Sequence, residues 1–288
     1  MNKLFKDERI RKIEKIDNLT IIATENNIYC VKKNKNKNII ELFNYLKAKD
    51  FNNYLNIKLI DDYEISNYIK QVNGNDNEKL TELAYILAML HAKTTYYSIF
   101  SIDEIKGKYE KLTDQIIDTK AYYEKLFDDN VILNYPHPSM FLLIRNISLI
   151  LISLDKSKYY LDKWYELIKN KNSIRKVINH NYLKVSNLLT GDNSYLINWY
   201  KSIKDSPIYD IESLFKENFK IIDMVDIFDI YRSKYQLLEE EIYLLATRLL
   251  LIDKLNPIKS DYINTVEVRK KIDYLSKVNS FLKHYMKD

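Results

Sequence analysis

The sequence predicts an α+β fold in two unequal parts. Residues 1–72 read as a small antiparallel sheet with one helix, and residues 73–288 as a larger, mainly helical part. Three observations carry this. Near the N-terminus, two runs rich in β-branched and aromatic residues flank a short Asn-rich turn. An amphipathic helix and a second pair of strand-like runs follow. Beyond residue 78 the apolar residues recur at helical spacing almost to the end. With only 3 Gly and 4 Pro in 288 residues, long helices with short connections fit better than a fold of glycine loops.

In the first part, Leu19–Thr24 and Ile28–Lys33 are the strand runs. Glu25-Asn26-Asn27 between them suits a hairpin, because Asn tolerates positive φ. Upstream, Ile10–Ile16 fits either a strand or a short helix. In the run Ile39–Lys49, Ile39, Leu42, Phe43 and Leu46 form one helical stripe. Asn56–Ile60 and Tyr63–Val72 then read as strands around Asp61-Asp62. The polar cluster Asn73-Gly74-Asn75-Asp76-Asn77 marks the boundary.

In the second part, Leu80, Leu83, Ala84, Leu87, Leu90 and His91 line one face of a helix ending near Thr94. His91 is expected to bond backbone at the helix end, and His137, between two prolines, to be structural. Ile102–Leu126 reads as one long helix, Phe141–Leu154 and Lys158–Asn170 as two more. The run 141–154 is too short to span a bilayer and is broken by Arg145. Ile174–Ile178 leads into a short loop and hairpin. Helices are expected at Ile211–Asn218, Ile221–Tyr235, Leu238–Leu251 and from Asp261 onward, the third opening on Glu239-Glu240-Glu241 as suits a helix N-terminus.

Composition narrows function. The formal net charge of +5 is dispersed, which argues against nucleic acid as a partner. The one basic run, from Lys32 to Lys37, reads as a solvated loop. A single cysteine, Cys30, cannot form an internal disulfide, and the charged N-terminus lacks a signal-peptide core, so a reducing, cytoplasmic setting is expected. There is no zinc spacing, phosphate-loop motif or nucleophile elbow.

The most informative stretch is Val177–Ile211. It holds His180, then Asn187, the strand Asn187-Leu188-Leu189, the turn Gly191-Asp192-Asn193, the strand Tyr195-Leu196-Ile197, Asn198-Trp199 and Pro207-Ile208-Tyr209-Asp210. This layout resembles the catalytic core of the aminoglycoside phosphotransferase and choline kinase-like branch of the protein-kinase-like fold. It is loosely reminiscent of spore-coat kinase-like proteins of Gram-positive bacteria, which extends the expected setting to a spore. The resemblance implies a two-lobed fold, with 1–72 as the N-lobe and 73–288 as the C-lobe.

The resemblance also assigns roles. Lys32, with Lys33 as the register alternative, stands for the strand lysine on the phosphates, Cys30 for the small residue over the adenine, and Glu41 for the lysine's helix partner. Lys184 is an even choice between phosphate and solvent. Asn187 and Asn198 stand at the metal positions, and Asp210 braces the loop while capping the following helix. Tyr182 occupies the position of the catalytic Asp, and Asn198 that of the metal-binding Asp. Tyrosine, with a reference pKa of about 10, is a poor base at neutral pH, and an amide is a weak substitute for a carboxylate on magnesium.

The catalytic set His180, Tyr182, Asn187 is therefore degenerate. The expected protein is a pseudokinase, a scaffold or regulator with a protein partner, in which ATP is a candidate ligand and Mg2+ is disfavoured. The alternatives are an active small-molecule phosphotransferase using Asp192 or Asp205 as a displaced acid, and, last, a binder of nucleic acid or an anionic surface.

Overall fold

A computed structural model describes residues 8–35, 38–71, 74–221, 223–256 and 260–286. The first part is an antiparallel sheet of β1 (Ile10–Ile16), β2 (Leu19–Thr24), β3 (Ile28–Lys33), β4 (Lys58–Ile60) and β5 (Tyr63–Asn67), in the order β1-β2-β3-β5-β4. Helix α1 (Ile39–Ala48) connects β3 to β4. The open choice at Ile10–Ile16 is thus a strand. Positive φ occurs at Asp17 and Asp61, in the β1–β2 and β4–β5 turns, where tight hairpins require it. The Asn-rich β2–β3 turn closes differently, with Thr24 N donating to Asn27 O at 2.8 Å and Asn27 N to Thr24 Oγ1 at 3.0 Å. The strand expected over Tyr63–Val72 ends at Asn67. Val72, Asn73, and Asn36 and Lys37 of the basic run lie outside the described residues.

Strand alternation gives the sheet two faces. Ile22, Val31 and Ile65 are buried together on one. Cys30 and Lys32 belong to the other. Ile39, Phe43 and Leu46 of α1 do not join that small cluster but the main core. Phe43 stacks on Tyr54 at 4.5 Å between ring centroids and meets Trp199 edge-on at 6.2 Å.

The second part comprises α2 (Asp76–Thr94), α3 (Ile102–Val131), α4 (Pro138–Ile168), α5 (Ile208–Asn218), α6 (Met224–Arg232), α7 (Glu239–Leu250) and α8 (Asp261–Tyr285). Side-chain caps open several of them: Asn75 accepts from Glu78 N, and Ser101 and Glu104 form a capping box. The two helices expected over 141–170 are one 31-residue helix, α4. The polar break at Asp155-Lys156-Ser157 does not end it because its groups are satisfied in place. Asp155 pairs with Lys120 at 2.6 Å, and buried Ser157 Oγ donates to Thr247 O at 2.8 Å. The apolar run 141–154 lies within this longer helix, which passes the length and composition test for a membrane span, a test that core helices also pass. Here its face of Leu143, Ile150, Leu154, Leu161 and Trp164 lies in the core.

Short strands complete the fold: β6 (Tyr96–Ile99), β7 (Ser173–Asn179) and β10 (Ile203–Asp205) in the order β10-β7-β6, and the hairpin of β8 (Leu188–Thr190) and β9 (Ser194–Leu196). The hairpin turn presses on the segment after β5. A Cβ on Gly191 would lie 2.9 Å from Ile69 Cγ2, so glycine permits this approach. On the other side Leu196 N donates to Asn53 O at 2.8 Å, tying the hairpin to the chain after α1.

Candidate active-site cleft

β7 delivers the loop that starts at His180, a 3-10 turn at Val185–Asn187 ends it, and β9 leads to Asn198. Asn181 and Asn198 adopt left-handed backbone, with φ of 59° and 67°, a conformation that asparagine tolerates better than most residues.

Asp210 fixes this loop. Its carboxylate is fully buried in the first turn of α5 and accepts from His180 N at 2.8 Å and from Asn181 N. The same group lies 3.1 Å from His91 Nε2, and His91 Nδ1 is 2.7 Å from Tyr231 Oη. A carboxylate only accepts, so Nε2 carries the proton and, in the neutral ring, Nδ1 accepts from the tyrosine. Two expectations need correction. Asp210 is not a helix cap, because α5 begins at Ile208 with Pro207 at the cap position, so its side chain is free to brace the loop. Nor does the buried His91 ring bond backbone at the helix end; it joins α2 to α5 and α6.

His180 is also buried. Its Nε2 donates to Ile197 O at 2.8 Å and its ring meets Trp199 edge-on at 4.8 Å. Burial pushes the pKa of this imidazole below its usual value, and the nearby Asp210 charge only partly offsets that. The folded pKa lies below the unfolded one, so at mildly acidic pH the unfolded chain binds the extra proton. His180 thus contributes stability above about pH 6.5, lost as pH falls toward the folded pKa. Urea midpoints measured from pH 7.5 to 5 should fall more steeply for the wild type than for His180→Asn.

Lys32 forms its ion pair with Glu64 at 3.0 Å, not with Glu41. The β3–β5 register sets Lys32 directly opposite Glu64. Glu41 is exposed in the first turn of α1. The same ammonium donates to Asn198 Oδ1 at 3.2 Å. Asn198 Nδ2 donates to Asn187 Oδ1 at 2.8 Å, and Asn187 Nδ2 to Tyr182 O at 2.7 Å. A continuous chain therefore runs Glu64–Lys32–Asn198–Asn187–Tyr182. It links Lys32, Asn198 and Asn187 to the Tyr182 carbonyl and adds Glu64. Lys33, the register alternative, is exposed at the strand end opposite Tyr63.

Cys30 is half-buried two residues along from Lys32, and burial pushes its thiol pKa up despite the ammonium nearby. Lys184 pairs with Glu217 at 3.3 Å and lies 5.0 Å from the Tyr182 ring centroid. Its pKa is raised, first by its bond to Tyr182 and then by Glu217.

The amide oxygens of Asn187 and Asn198 both accept hydrogen bonds within the chain just described. Among the described residues no group of three or more His, Cys, Asp or Glu side chains could hold a metal ion. Asp192 is exposed at the hairpin tip. Asp205 sits on β10 opposite Val177, its carboxylate accepting from Ser206 N at 2.7 Å.

Solved structures define the fold. The aminoglycoside phosphotransferase of Alicyclobacillus acidocaldarius superposes with a TM-score of 0.69 at 12% identity, over 96% of this chain and 91% of that one. Spectinomycin phosphotransferase APH(9)-Ia in an AMP-bound complex gives 0.53 at 12% identity, over 99% and 94%. Choline kinase LicA from Streptococcus pneumoniae gives 0.50 at 15%, over 99% and 97%. The chain has the two-lobed protein-kinase-like fold, in the version shared by aminoglycoside phosphotransferases and choline kinases. No family model matches the sequence, and no curated protein matches it.

Proposed function

We propose that this protein is a pseudokinase, which binds a nucleotide or a protein partner through its cleft and does not transfer phosphate. The observation that carries this is the closed chain from Lys32 through Asn198 and Asn187 to the Tyr182 carbonyl. In phosphoryl transfer the protein supplies carboxylates for magnesium and a positioned base for the attacking hydroxyl. Here an amide and a phenol stand in their places, and both amide oxygens are already engaged. The residues present do not fit magnesium, a hard cation that prefers carboxylate and phosphate oxygens.

Nucleotide binding is supported by Lys32 beside Cys30 on the cleft face of β3, and by relatives in fold that carry AMP, or ADP with spectinomycin. The displaced-acid alternative gains no support from Asp192 or Asp205, neither of which joins the chain. Purified protein with ATP and magnesium should release or transfer no phosphate above background, with Asn187→Ala indistinguishable from wild type. Robust turnover abolished by Asn187→Ala would refute the reading.

A further inference from the structure

Two exposed lysines that the motif does not account for, Lys35 and Lys201, join Lys184 around two tyrosine rings. Lys201 Nζ lies 4.2 Å and Lys184 Nζ 5.0 Å from the Tyr182 ring centroid. Tyr182 and Tyr200 lie tilted against each other at 5.8 Å, and Lys35 Nζ is 5.5 Å from the Tyr200 ring. Lys35 follows Lys32 by three residues and Tyr200 follows Asn198 by two, so the cluster borders the end of the Lys32–Asn198–Asn187 chain. Glu217 partners Lys184, but among the described residues neither Lys35 nor Lys201 has a carboxylate partner. Both lysines are exposed, and Tyr200 is 38% exposed.

This arrangement reverses the sign of the site. A metal-dependent phosphotransferase places carboxylates here, which repel phosphate until a divalent cation intervenes. In this chain those carboxylates are replaced by Asn198 and Tyr182, and three ammonium groups gather around two tyrosine rings. Cation–π contact with the rings places all three lysines beside the same two tyrosines.

We propose that the cleft mouth binds the phosphate groups of an anionic ligand directly, through Lys35, Lys184 and Lys201, with no divalent cation. The proposal deepens the pseudokinase reading and names its ligand chemistry. The phosphates belong either to a nucleotide or to a free polyphosphate.

Isothermal titration in EDTA tests it, with ATP, inorganic tripolyphosphate and adenosine as separate titrants. ATP, tripolyphosphate or both should bind, and binding should weaken as salt rises. The double variant Lys35→Ala/Lys201→Ala, altered only at exposed positions, should bind roughly tenfold more weakly or worse. Charge reversal at Lys201→Glu should weaken binding further. Tripolyphosphate binding as well as ATP makes a free polyphosphate sufficient, whereas ATP alone makes the ligand a nucleotide. The proposal is overturned if neither anion binds in EDTA, if the lysine variants bind as wild type does, or if adenosine matches ATP. Turnover with magnesium is a separate readout, which would end the pseudokinase reading while metal-free binding was still decided by the titrations.

Discussion

Asp210→Ala is expected to lower the free energy of unfolding by about 3–5 kcal/mol, because it strips the acceptor from three hydrogen-bond donors at once. The carboxylate is fully buried, and its removal orphans His180 N, Asn181 N and His91 Nε2 together. Each buried donor left unsatisfied costs about 1–3 kcal/mol, and these effects are not additive because one relaxation can serve several of them. Asn181 also loses the bond that helps hold its left-handed backbone. The loop from His180 to Asn187 should therefore loosen as stability falls. Urea denaturation measures the first effect and hydrogen exchange at 180–187 the second. Asp192→Ala, at an exposed hairpin tip, should stay within about 0.5 kcal/mol of wild type. A loss under about 1 kcal/mol for Asp210→Ala would mean that the loop is held by something other than this carboxylate.

The parts of the fold legible in the sequence were those with local signals. Ile39, Phe43 and Leu46 mark a helix by spacing, and β2 and β3 stand out by residue type. The order of these elements around His180, Asn187 and Asn198 was enough for the fold, and it singled out Asn187 and Asn198, which hydrogen-bond to each other. What was missed depends on distant parts of the chain. Glu64 meets Lys32 through strand register, which a reading of each strand alone does not give. Glu41 was the attractive alternative, but it lies two residues from both Ile39 and Phe43. That is about 200° around the helix from each, so the packing that buries them turns Glu41 to solvent. The two-helix reading of 141–170 treated a polar interruption as a break, when partners on α3 and α7 satisfy it. β6 and β10 span four and three residues, too few for alternation to register. The lysine and tyrosine mouth draws on residues 35, 182, 184, 200 and 201, which come together only when β3, the loop and the segment after β9 are assembled.

Placing carboxylates at positions 182 and 198 tests the proposed pseudokinase reading most directly. Asn198→Asp keeps the acceptor that Lys32 reaches at 3.2 Å but deletes the amide that donates to Asn187 Oδ1. Two oxygens then face each other across the gap left by that 2.8 Å hydrogen bond. Without a metal ion the variant should lose about 1 kcal/mol, because the new ion pair with Lys32 offsets part of the unmet contact with Asn187. With magnesium, the new carboxylate and the Asn187 oxygen become ligands instead of rivals, and the loss should be recovered. A ligand at about 100 times its Kd returns about 2.7 kcal/mol, and each kcal/mol shifts the midpoint of a chain near this size by about 2–4 °C. Magnesium with ATP should therefore raise the Tm of Asn198→Asp by several degrees more than ATP alone, while leaving no such increment in the wild type. Adding Tyr182→Asp supplies the proton acceptor, a role typically worth about 10²–10⁴ in rate, so phosphate release should appear in the double variant and in neither single one. A wild-type protein with the same magnesium increment would show that the asparagine chain opens to admit the metal, and the hydrogen bonds from Lys32 to Asn187 would then describe a resting state of an active site.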